Sequence, residues 1–253
     1  IQEFAIGTLR ASGEWDDAAS AHAEFFSDLL RQSRNVAGTP DAVALFDRLD
    51  LDIVNLDDAM AYLLSTADGS VTLDIVLCGW HFLDLRNHFE RTHAWIDRAL
   101  ATASDLPEST RVTALKVLGD TSLNESLTQA ADYYRQAVEL ARSSGDTTRL
   151  ATASLSLAQV VDLPGEREEA LKSGRESVSI VRTLDQPSTL IDALIMLADI
   201  ESRGEDLGLA RMVVEEIATL EPGSGDLAWA LLLEARISQQ QGQPERAVAR
   251  FRE

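Results

Sequence analysis

"ALKVLGDTSLNESLTQAADYYRQAVELA", residues 114–141, carries the pattern that decides the fold. Just upstream and into this stretch, Val112, Leu115, Leu118 and Gly119 recur at the three- and four-residue steps of one helical face. A second helix follows, in which Ala130, Tyr134 and Ala137 alternate small, large and small along one face. Small residues let two helices approach closely, and the aromatic fills the gap beside them.

The same arrangement repeats downstream. The small residue near the middle of each first helix is Gly119, then Ala158, Ala198 and Ala235, at steps of 39, 40 and 37 residues. Ala170, Gly174 and Ser177 form a smaller version of the second-helix motif, and Ala247 with Phe251 begin it again near the end of the chain. Gly- or Pro-bearing turns divide the helices, among them "TADGS" (66–70), "SSGD" (143–146) and "LEPGSGD" (220–226). Alternating strand patterns bounded by turns do not recur. The sequence therefore reads as all-α: an α-solenoid of tetratricopeptide-like hairpins with a period of about 37–40 residues, each burying its faces on its neighbours. The division we expect is 1–66 for N-terminal helices and 67–253 for the repeats, with the last repeat truncated.

Working back, "GWHFLDLRNHFERTHAWIDRAL" (79–100) fits as one hairpin. Its first helix is expected to run to about Arg86, with Asn87 in the turn, because Asn tolerates the left-handed conformation. The second is expected from about His88 to Ala103, with Ile96 and Ala99 facing inward. Five hairpins count from about Val71, and 14–34 and 41–66 read as two or more further helices.

Bulk properties narrow the function. The formal net charge is −20 over 253 residues. Such a surface repels phosphate backbones, so no direct nucleic-acid contact is expected. No run of about 18 apolar residues is present, so no membrane span is expected. The single cysteine, Cys78, excludes an internal disulfide and fits a reducing, cytoplasmic setting. The chain opens at Ile1 and reads as a segment of a longer protein.

The N-terminal half carries a resemblance. "IQEFAIGTLRASGE", "LDIVNLDDAMAYLL" and the 79–100 hairpin occur in the order found in large bacterial regulators with a signal-transducing AAA-like ATPase (STAND) core, many of them LuxR-type or antibiotic-regulator-type transcription factors. The matching residues are Glu3, Phe4 and Ala5, then Asn55, Leu56 and Ala59, then Trp80, Phe82, Arg86, Trp95, Ala99 and Leu100. Asn87 stands where Gly is usual. The resemblance implies a non-catalytic sensor arm, with the tail of a winged-helix region at its start. It implies ATP in an upstream domain and no cofactor in this segment; no GxxxxGK[ST] loop occurs here. It implies a protein or peptide partner or a small polar inducer, contact with the ATPase core, and room for a homo-oligomer. Two other readings stand beside it: a stand-alone tetratricopeptide scaffold, or the accessory arm of a nucleotide cyclase chain.

Catalytic and metal constellations are weak. His81, Asp84 and His88 are spaced for one helical face, but a turn at Asn87 would throw His88 off it. Glu90 and His93 copy half of a di-iron motif that has no second copy. Trp80 and Trp95 read as packing aromatics. Adjacent carboxylates such as Glu215 and Glu216 point about 100° apart and do not converge. Repeat register instead nominates residues lining an inner groove: His81 and Asp84; Lys116 and Asp120, with Thr113; Gln159 and Asp162, with Thr152; Asp192 and Asp199; Trp229 and Arg236, with Gln239. Individually they read as wet faces of amphipathic helices; together they describe the polar surface with which a solenoid binds.

Overall fold

A computed structural model describes residues 2–160, 167–184, 186–204, 207–220, 223–243 and 245. Fourteen helices occupy it, and no strand occurs among the described residues. Asp162, Ala247 and Phe251 lie outside the described residues. The chain forms two compact units, residues 1–122 and 123–253.

The first unit holds α1 (Gln2–Ser12), α2 (Trp15–Val36), α3 (Asp41–Leu51), α4 (Ile53–Thr66), α5 (Gly69–Cys78), α6 (Trp80–Leu85), α7 (Phe89–Thr102) and α8 (Glu108–Ser122). Long α2 packs on α3, α4, α5 and α6, and α5 lies along α7. Their apolar stripes meet in a core that includes Leu30, Leu49, Leu56, Met60, Phe82 and Ile96, all fully buried or nearly so. Ile96 and Ala99 face inward as expected. Asn87 adopts φ +58°, the one left-handed non-glycine residue described. Its N–H donates to Asp84 O at 3.0 Å and the His88 N–H donates to Leu83 O at 2.8 Å, which closes the end of α6.

The helix before Asn87 differs from expectation. It is not continuous to Arg86 but breaks at Gly79 into α5 and α6. A Cβ on Gly79 would lie 2.3 Å from Leu30 Cδ1, so the break lets α2 press into the bend. Apolar periodicity continues through the bend, which is why spacing alone did not reveal it.

The second unit holds α9 (Leu127–Ser144), α10 (Thr147–Val160), α11 (Arg167–Val181), α12 (Pro187–Ser202), α13 (Leu207–Thr219) and α14 (Ser224–Gln240). Ser126 caps α9 by accepting the Gln129 N–H at 3.2 Å, and Gly145 ends it in the left-handed conformation at φ +72°. Pro187 opens α12, where its missing N–H costs nothing. Each helix packs on the next, while α12 also touches both α10 and α14. The repeated small positions are buried: Ala130, Ala170 and Ala210 on α9, α11 and α13, and Ala158, Ala198 and Ala235 on α10, α12 and α14. The fold is an all-α tetratricopeptide-like helical repeat of the α-solenoid class.

Candidate functional site

In the first unit, α6 and α8 bring four nominated residues together. Lys116 Nζ donates to Asp120 Oδ2 at 2.8 Å, one helical turn along α8. Partial burial raises the carboxyl pKa of Asp84 on α6, and the negative charge of Asp120 raises it further. His81 and Lys116 pull it back down. The His81 ring meets Phe46 edge-on at 6.1 Å between centroids. The cluster thus holds two carboxylates, an ammonium and an imidazole. It can take polar hydrogen-bonding partners, but no nucleophile is paired with a base in it.

Beside it runs an ionic clamp that sequence reading did not find. Arg86 reaches Asp47 at 2.6 Å and Asp50 at 2.9 Å. His88 Nε2 lies 2.8 Å from Asp50 Oδ1, and Arg91 binds both oxygens of Asp57 at 2.6 and 2.9 Å. The clamp ties α3 and α4 to the α6–α7 turn. Its residues are visible in sequence as acidic side chains within 47–57 and three cationic or titratable side chains within 86–91, but the pairing needs the tertiary fold. His88 is held on Asp50, and His93 Nδ1 sits 2.9 Å from Thr121 Oγ1. Among the described residues no group of three potential ligands could hold a metal. Cys78 is half-buried with Sγ 3.9 Å from an Arg34 nitrogen, and the break at Gly79 puts it on a different helix from His81. Trp95 is buried, Trp80 is half-buried with its ring 6.5 Å from that of Phe89, and Trp15 lies under the Arg10 guanidinium at 5.0 Å.

In the second unit the repeat register aligns the nominated residues in rows across α10, α12 and α14. One row is Gln159, Asp199 and Arg236. Arg236 donates to Asp199 Oδ1 at 2.5 Å across 37 positions, and Arg203 pairs with the other Asp199 oxygen. The row seven residues earlier is Thr152, Asp192 and Trp229. Partial burial raises the pKa of Asp192, and the Asp226 carboxylate at the start of α14 raises it further. Trp229 is 56% exposed and Leu232, one turn on, 43%. Gln159 and Gln239 are exposed.

The opposite helices carry a second feature that sequence reading missed. Arg135 binds Glu169 through two hydrogen bonds at 2.9 and 2.7 Å, Arg142 binds Glu176 at 2.8 and 2.7 Å, and Arg182 binds Glu216 at 3.2 and 2.5 Å. Each pair spans 34 positions, and the last two pairs are images of each other 40 residues apart. The Arg135 bond holds the Glu169 pKa below its ordinary value. A groove of about 240 Å³ lies between α13 and α14, lined by Val214, Leu227, Ala230 and Ile237 together with Arg211 and Glu234.

No family model matches the chain, and no curated protein matches it. Solved structures do. BtubC (BKLC) from P. vanneervenii aligns with a TM-score of 0.65 at 14% identity, over 93% of this chain and 89% of that one. The apo form of RapI aligns with a TM-score of 0.66 at 11% identity, over 91% of this chain and 95% of that one. At such identities the likeness is one of fold.

Proposed function

We propose that the chain is the sensor and protein-interaction arm of a STAND-type ATPase transcription regulator, and that it works by binding rather than catalysis. The observation that carries this reading is the helical-repeat scaffold, supported by the contact of two nominated residues, Asp199 on α12 and Arg236 on α14. The family-like residues of the first unit support it further. Trp95, Phe82 and Ala99 pack the core, and Arg86 bridges two carboxylates. In this reading residues 1–66 are the tail of the winged-helix region and the start of the arm, and 67–253 are the repeats. ATP is bound upstream, in the cytoplasm, and DNA is bound by another domain. An inducer or partner on the arm favours one arrangement of arm and ATPase core, and so controls self-assembly.

The test is the coding sequence on either side. A phosphate-binding loop upstream together with a helix-turn-helix domain elsewhere in the chain is the expected result. A bare array of repeats would replace this reading with a stand-alone scaffold, and a cyclase domain upstream would make it a cyclase arm. Where the expected domains are present, ATP hydrolysis by the full chain should change when residues 123–253 are deleted; unchanged hydrolysis would remove the sensor role.

A further inference from the structure

Helices α12 and α14 lie side by side in a fixed register. Asp199 meets Arg236 across 37 positions at 2.5 Å, and Asp192 feels the charge of Asp226 nearer the start of both helices. These two points bracket Trp229, whose partner in that register is Asp192, and Leu232, whose partner is Ile195. Ile195 packs against the core, while Trp229 and Leu232 stand open. The face therefore offers an indole and an aliphatic side chain one turn apart, with Asp226 one turn before the indole on α14 and Asp192 level with it in the register of α12.

Among the described residues, arginines of these repeats are already engaged. Arg236 and Arg203 both bind Asp199, and Arg149 binds Asp146 at 2.7 Å. The local demand is for positive charge: Asp192 stands exposed on this face with only partial desolvation, and the like charge of Asp226 repels it. A cation placed between them would offset both, and the face of the Trp229 indole would hold it. The chain's net charge of −20 draws cations toward the surface at long range.

We propose that the α12–α14 face of the second unit docks a basic peptide segment, with an arginine or lysine seated between Asp192, Asp226 and Trp229 and the next aliphatic side chain on Leu232. This names the class of partner for the interaction role proposed above and rests on that reading only for its biological setting.

The experiment is calorimetry on the full 253-residue chain with two acetylated, amidated pentapeptides. One carries arginine between two leucines; the other carries glutamate in place of the arginine. The arginine peptide should bind and the glutamate peptide should not. Binding should weaken several-fold between low and high salt, because the attraction is between partly exposed charges. Asp192→Asn and Trp229→Ala should each weaken it about fivefold or more, while Trp229→Phe keeps most of it. Circular dichroism of each variant confirms that it is folded. Absence of binding, equal binding of both peptides, or undiminished binding by folded Asp192→Asn and Trp229→Ala overturns the proposal. So does sedimentation showing self-association that Trp229→Ala abolishes, because a second copy then owns the face. Flanking ATPase and DNA-binding domains without peptide binding would defeat this inference alone; peptide binding by a bare repeat array would defeat only the regulator reading.

Discussion

The two units bring helices close by opposite means. In the first, proximity comes from missing side chains at isolated points. A Cβ on Gly69 would lie 2.0 Å from Ala99 O and 2.8 Å from Ala103 N, so the start of α5 abuts the backbone at the end of α7. In the second, proximity comes from a repeated row of small residues with one bulky insert. Ala130 and Ala137 flank Tyr134, the largest fully buried side chain among the described residues, and Ala170, Gly174 and Ser177 take the equivalent places one repeat on. There a Cβ on Gly174 would lie 3.5 Å from Leu197 Cδ1 and 3.8 Å from Ala158 Cβ, which is ordinary contact. A unique close approach forbids change at one residue. A periodic one tolerates change at any single small position, because the row and not the residue sets the spacing.

The largest expected effect removes bulk where the second unit has it. Tyr134→Ala should lower stability by about 3–5 kcal/mol, since the surrounding alanines cannot collapse into the space. Urea unfolding followed by circular dichroism measures it; a loss under about 1 kcal/mol would mean that the aromatic insert is dispensable.

Next comes the reverse operation in the first unit. Gly69→Ala should cost about 3 kcal/mol, because the clash is with backbone that no rotamer change can relieve. The same substitution at Gly174 should stabilise the protein by about 0.5–1 kcal/mol, through helix propensity in the interior of α11. Opposite signs for one chemical change are the sharpest form of the comparison. Equal signs, read from denaturation midpoints of both variants, would break it.

How much of this could be read from the chain follows the same division. The second unit's rows were legible because they recur: Ala158, Ala198 and Ala235 are visible as a period before any coordinates are known. The left-handed turn at Asn87 was legible because few residue types adopt it. Gly79 was not, since one glycine inside an apolar run has no periodic signature and its reason, Leu30, lies far away in sequence. The nominated surface residues split in the same way. Asp192, Asp199, Trp229 and Arg236 share one face because repeat register is inherited by every helix. The ionic clamp of Asp47, Asp50 and Asp57 with Arg86, His88 and Arg91 joins helices with no common register, and its carboxylates look in sequence like any solvated acidic face.

The smallest effect concerns the arginine–glutamate ladder, which tests whether charge follows the same periodic logic as packing. Arg142–Glu176 and Arg182–Glu216 are the same rung in successive repeats, and both lie near the surface. Each exposed pair should contribute about 0.2–1 kcal/mol, because high dielectric and side-chain entropy offset most of the Coulomb gain. A double-mutant cycle of Arg142→Ala and Glu176→Ala should return a coupling in that range that shrinks as salt is raised. The equivalent cycle at Arg182 and Glu216 should return the same value, since the two rungs join helices related by one repeat. Arg135 and Glu169 have no such image: the position 40 residues beyond Glu169 is Leu209, and Arg175 turns instead to Glu201 at 2.6 Å. A coupling shared by the first two rungs would show that the ladder is a repeat property, whereas unequal couplings would make each rung a local accident of the surface, and the periodic account of the second unit would then hold for its apolar rows alone.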